Sequence, residues 1–116
     1  MSDKPKLKAS DLRIGNLLFN DGIVVTIDAR TIFDIWNDEG LKKYSPIPLS
    51  EDVLVKLGYK KSRGPHRYEL NGIFINILKT DSGTSFWLNG GKPICWVHKL
   101  QNYHYENRNE ELIYTP

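Results

Sequence analysis

The chain has 116 residues, of which 40% are apolar and 26% charged, with a formal net charge of +2. That is enough chain for one domain with a real core, and too apolar for a disordered segment. So small a net charge does not imply nucleic acid, and a single cysteine, Cys95, excludes an intramolecular disulfide and points to a reducing compartment, the cytoplasm. No window approaches the roughly 20 apolar residues of a membrane span, and no apolar run follows the first lysines as a secretory signal requires. Charge is nonetheless uneven: residues 1–67 carry twelve Lys/Arg against nine Asp/Glu, and residues 68–116 four against five. This supports a local basic patch at most.

Residues 1–9 are polar and lysine-bearing and are expected to form a flexible lead-in to one domain over 10–116. In the stretch that follows, Val24, Val25, Thr26, Ile27, Ile32, Phe33 and Ile35 are β-branched or aromatic, and Asn20-Asp21-Gly22 suits a tight hairpin. Strands are expected near 17–20, 23–29 and 31–36, ending at the turn residues 37–40.

The clearest local signal is "YSPIPLSEDVLVKLGYKK". Pro46 and Pro48 keep the chain extended, Ser50 is a good N-cap, Glu51 and Asp52 complement a helix N-terminus, and Gly58 suits a left-handed C-terminal position. A helix is expected over 51–57, with Leu49 and Leu54 spaced as a hydrophobic staple. Strands follow at 59–61, 66–70, 73–78 and 84–88, separated by Arg63-Gly64-Pro65, Asn71-Gly72, Asp81-Ser82-Gly83 and Asn89-Gly90-Gly91. The alternation of Ile73, Ile75 and Ile77 suits a central strand.

"WVHKLQNYHYE" gathers two histidines, two tyrosines and a tryptophan. On a helix over 96–107, Trp96, Leu100 and Tyr103 form an apolar stripe with Val97 and His104 beside it, so packing is the expected role of these five. His98 and Tyr105 then point to the other side, as a second candidate binding patch with Asn102. The histidines are six apart, which is not the spacing of a helical metal pair. A last short strand is expected within 110–116.

No phosphate-binding glycine loop, nucleophile–base pair or metal-ligand cluster emerges, so no catalytic residue, metal or cofactor is expected. "LNGGKP" lacks the spacing of such a loop, Cys95 beside Trp96 reads as a small buried residue, and Asp28, Asp34, Asp38 and Glu39 show no ligand-loop pattern. The best candidate surface is "YKKSRGPHRY". Lys60, Lys61, Arg63, His66 and Arg67 cluster there between Tyr59 and Tyr68, with Lys42 and Lys43 as a further extension. Basic residues interleaved with aromatics hold phosphates and stack bases; the plainer role is a charged edge strand that resists association. Trp36 and Trp87, read on strands with a partly apolar second face, leave a homo-oligomer open.

Three segments, "LRIGNLLFN" (12–20), "PIPLSEDVLVKLGYKK" (46–61) and "VHKLQNYHYENRNEEL" (97–112), resemble in order and spacing a group of small uncharacterised proteins of Bacteroidetes phages and prophages. Members of that group read roughly LRIGN, PIPLTEEWLLKFGF and VHQLQNLYFALTGEEL. The chain departs from this pattern at Tyr103–Asn109, where Asn109 takes the place of the glycine cap.

The expectation is therefore an α+β domain. An N-terminal β-meander with an SH3-like curl is followed by an antiparallel sheet, on which one short helix and one C-terminal helix pack. The resemblance implies a phage accessory protein of an infected or lysogenic host; with no catalytic cluster and a single cysteine, it is expected to be non-enzymatic and cytoplasmic. It would act by binding, inhibiting a host or anti-phage defence protein or sequestering its nucleotide signal, a phosphorylated small molecule. The alternative is a nucleic-acid-binding module using the basic 59–68 loop.

Overall fold

The computed structural model describes residues 9–37, 43–62, 64, 66–88 and 90–116. Arg63, Lys42, Asp38, Glu39 and the lead-in over 1–8 lie outside the described residues. Among the described residues, two antiparallel sheets of three and five strands with three α-helices make an α+β fold. The chain divides into two compact units, residues 1–48 with 96–102 and residues 49–95 with 103–116.

In the first unit a 3₁₀ turn (Ala9–Asp11) precedes β1 (Leu17–Asn20) and β2 (Ile23–Thr26). Asp21 and Gly22 both take positive φ, 51° and 79°, which is the two-residue turn that Asp-Gly favours. The third strand, β3 (Tyr44–Ser45), pairs with β1, so the order is β2-β1-β3 and not that of a simple meander.

Between β2 and β3 the expected strand at 31–36 is instead helix α1 (Ala29–Trp36). Asp28 caps it, its carboxylate accepting from the Thr31 amide at 2.9 Å and the Thr31 hydroxyl at 2.9 Å. Ile32 and Ile35, three apart, then fall on one face, where Ile35 joins Leu18 and Ile27 in the core. A local cap and a helical apolar period outweigh the strand preference of the β-branched residues.

The second unit begins as expected. Helix α2 (Glu51–Lys56) is capped by Ser50, whose hydroxyl accepts from the Val53 amide at 3.1 Å. Leu49, Leu54 and Leu57 are buried, and Gly58 has φ 100°. The sheet runs β4 (Lys60–Lys61), β5 (Arg67–Leu70), β6 (Ile73–Thr80), β7 (Gly83–Leu88) and β8 (Lys92–Ile94) in sequence order, all antiparallel. Its inner face carries Tyr68, Ile73, Ile75, Ile77, Phe86, Leu88 and Ile94, all buried. Residues 110–116 form no strand; they run as an irregular tail in which Leu112 is buried and the Thr115 amide donates to the Lys56 carbonyl at 2.7 Å.

Helix α3 (Val97–Arg108) supplies residues 97–102 to the first unit and the rest to the second. Its buried residues are Val97, His98, Leu100, Gln101 and His104. The buried face is thus turned from the expected one: Trp96 and Tyr103 are only half-buried, while two polar side chains, Gln101 and His98, go inside. Asn109 ends the helix at φ 52°, filling the left-handed cap position.

Candidate functional site

The second unit exposes the outer face of its sheet, and pairing register fixes which residues share it. Residues directly opposite on neighbouring strands point to the same side. Lys60, Glu69 and Phe74 form one row; Arg67, Asn76, Trp87 and Pro93 form the next; Leu78 and Ser85 form a third. Arg67, Phe74, Asn76 and Trp87 are half-buried, and Lys60, Leu78 and Pro93 are exposed.

Two contacts give this face order. The Arg67 guanidinium lies over the Phe74 ring, 4.6 Å from its centroid, and its Nε is buried with no hydrogen-bond partner. Stacking on the ring quadrupole holds this side chain in place of a hydrogen bond. The Trp87 indole N–H donates to the Ser85 hydroxyl at 3.0 Å, which fixes the ring along its strand. The Glu69 carboxylate is on the same face, tied to the Gly72 amide at 2.9 Å.

The basic candidates divide accordingly. Lys60, Lys61 and His66 are exposed, and Arg67 is the stacked residue of the outer face, while Arg63 lies outside the described residues. The two tyrosines expected to stack beside them do not: Tyr59 and Tyr68 are 1% and 3% exposed. Lys61 and Tyr68 face each other on the inner side, where the Tyr68 hydroxyl donates to Glu51 at 3.3 Å and burial raises its pKa. The exposed-face aromatics are Phe74 and Trp87. The period-2 alternation of β6 and β7 carries them opposite the isoleucines, a signal readable only once the inner face is known. Lys43 is exposed and belongs to the first unit.

Of the second candidate patch, Tyr105 is 43% exposed but His98 only 4%, so His98 offers no binding surface. Its Nδ1 is buried without a partner, and burial pushes its pKa down to about 4. The reason is the turn of α3, which brings position 98 inward beside Val97 and Gln101.

Residues 11–17 and the first turns of α3 meet inside the first unit. Gln101 accepts from the Leu17 amide at 2.8 Å and donates to the Gly15 carbonyl at 3.1 Å. Asn102 accepts from the Asn16 side chain at 2.9 Å and from Arg13 Nε at 3.2 Å, and donates to the Asp11 carbonyl at 2.8 Å. Asn16 in turn accepts from the Arg13 amide at 2.6 Å. Amides that both accept and donate in this way hold a loop in shape, a structural role.

The second unit holds one relay-like arrangement. His104, wholly buried, has Nδ1 2.9 Å from a Glu110 oxygen and Nε2 2.6 Å from the Tyr59 hydroxyl. The carboxylate only accepts, so Nδ1 carries the proton and Nε2 accepts from the tyrosine. Burial outweighs the attraction of Glu110 and lowers the His104 pKa, and the His104 hydrogen bond lowers that of Glu110. The relay ends on a tyrosine closed to solvent, whose pKa burial drives upward, so it joins the tail to the core and activates no nucleophile.

A shallow cleft of about 410 Å³ lies nearby, lined among others by Leu57, Leu70, Asn71, Glu110 and Leu112. Among the described residues, no three His, Cys, Asp or Glu side chains group as a metal site, and no helix is long and apolar enough to cross a membrane. No family model, curated protein or solved structure matches the chain.

Proposed function

We propose that this chain is a binding protein, not an enzyme, and that it holds a phosphate-bearing partner of the nucleic-acid class on the outer face of the five-stranded sheet. The observation that carries this reading is the Arg67 guanidinium stacked over Phe74 on a face that also presents Trp87 and Lys60. Cations supply phosphate contacts, and aromatic planes supply sequence-tolerant contacts to bases. An open face also suits an extended polymer better than a small molecule, which needs a concave site to bury most of its surface. The test is binding of a labelled oligonucleotide between about 50 and 200 mM salt. Affinity is expected to fall with salt, with a slope that shrinks in Lys60→Ala; undetectable binding at the lowest salt rejects the reading.

A second reading keeps the phage context, in which the chain inhibits a host or defence protein. Phe33 and Trp36 support it: they stand three residues apart on α1 and are 63% and 69% exposed. Large exposed aromatics are the usual anchors of protein interfaces. A stoichiometric protein retained from nuclease-treated lysate by the native chain, and lost with Phe33→Ser and Trp36→Ser, is the expected result. Equal retention by the variant rejects it.

A further inference from the structure

Resting on the nucleic-acid reading above, we propose that the ligand of the outer sheet face is a single strand with its bases splayed, one on the Arg67–Phe74 stack and the next on Trp87. Asn76 stands directly opposite Trp87, and Phe74 precedes Asn76 by two residues on β6. Phe74 and Trp87 are therefore diagonal cross-strand neighbours, a relation that sets side chains about 7–8 Å apart. Bases stacked in a duplex are separated by about 3.4 Å. The two platforms are spaced for consecutive bases pulled out of the stack, which a duplex does not present.

The chemistry of each platform agrees. Arg67 lies over Phe74, and guanidinium planes stack bases as aromatic rings do. The tie of Trp87 to Ser85 leaves its indole N–H occupied, so its contribution is its π face, which accepts any base. Lys60 stands in the Phe74 row, placing its ammonium at one side of the platforms for the phosphates. Glu69, between Lys60 and Phe74, opposes it, so the charge contribution is small and stacking dominates.

The experiment measures fluorescence anisotropy of a labelled oligothymidylate and of a duplex of equal length, with native protein and with Trp87→Ala, Phe74→Leu, Arg67→Lys and Lys60→Ala. The single strand is expected to bind more tightly than the duplex. Trp87→Ala is expected to weaken it roughly 5- to 150-fold, the range for loss of one stacked base. Arg67→Lys, which keeps the charge and loses the plane, is expected to weaken binding with no change in salt slope. It gives an independent reading where Trp87→Ala disturbs folding. Alkylation of Cys95, the exposed thiol just beyond β8, is expected to slow when the single strand is bound.

Equal binding of strand and duplex, with Trp87→Ala and Arg67→Lys like the native protein while Lys60→Ala flattens the salt slope, overturns base stacking and leaves the phosphate-binding reading standing. Absence of binding to either probe overturns both.

Discussion

The two ends of α3 are anchored by different chemistry. Residues 97–102 are held in the first unit by the amides of Gln101 and Asn102, and the second unit holds residue 104 through an imidazole between a phenol and a carboxylate. The amide end is clamped by neutral carboxamides, with the Lys99–Asp11 ion pair at 3.2 Å on the same stretch, and beside it sits His98, buried with an unpartnered nitrogen. The imidazole end has every ring nitrogen engaged. Histidines six residues apart on one helix thus differ in kind, and what separates them is the partners that each unit supplies.

The largest effect is expected from Gln101→Leu, which keeps bulk but strands the Leu17 amide and the Gly15 carbonyl. A buried amide and a half-buried carbonyl, at about 1–3 kcal/mol for a fully buried group, predict a loss of about 2–3 kcal/mol, read as a lower urea midpoint. The pH dependence comes next. A histidine whose folded pKa is about 4 favours the neutral form in the fold, so its contribution is present above the unfolded value of 6.5 and is lost as pH falls towards 4. Between pH 7 and pH 5 this predicts a loss of about 2 kcal/mol, and His98→Leu is expected to flatten that limb. His104 has a lowered pKa as well, so it adds to the loss in the same direction.

His104→Phe, which leaves the Tyr59 hydroxyl and a Glu110 oxygen without their partner, is expected to cost about 2 kcal/mol and to loosen the tail. Faster amide exchange around Leu112 and Thr115 is the check. The smallest effect is a control outside α3: Ser50→Ala removes the cap of α2 at about 1 kcal/mol, with no change in the pH profile.

Where structure was dictated by neighbours in sequence, it was legible. The α2 segment follows from Ser50, Glu51, Asp52 and Gly58, and the hairpins at Asp21-Gly22 and Asn71-Gly72 from residues that accept positive φ. The misread element, α1, contained its own evidence in the Asp28–Thr31 cap and the Ile32–Ile35 spacing, masked by β-branched side chains. Of the candidate surface, Lys60 and Arg67 stand on the outer face, whereas Lys61 faces the inner side and the aromatics expected beside them, Tyr59 and Tyr68, are core residues.

The short helix, the tight turns, most of the strands and the α+β class follow from local sequence, because caps, positive-φ residues and alternation act over a few residues. Only the tertiary structure decided which face of each element is buried. Strand register sends Tyr68 inward and Phe74 and Trp87 outward, and hydrogen-bond partners more than eighty residues away draw Gln101 into the interior. A one-residue shift of register or a small turn of a helix exchanges core for surface, and that choice is made by the sum of burial over the whole unit, which no local stretch contains.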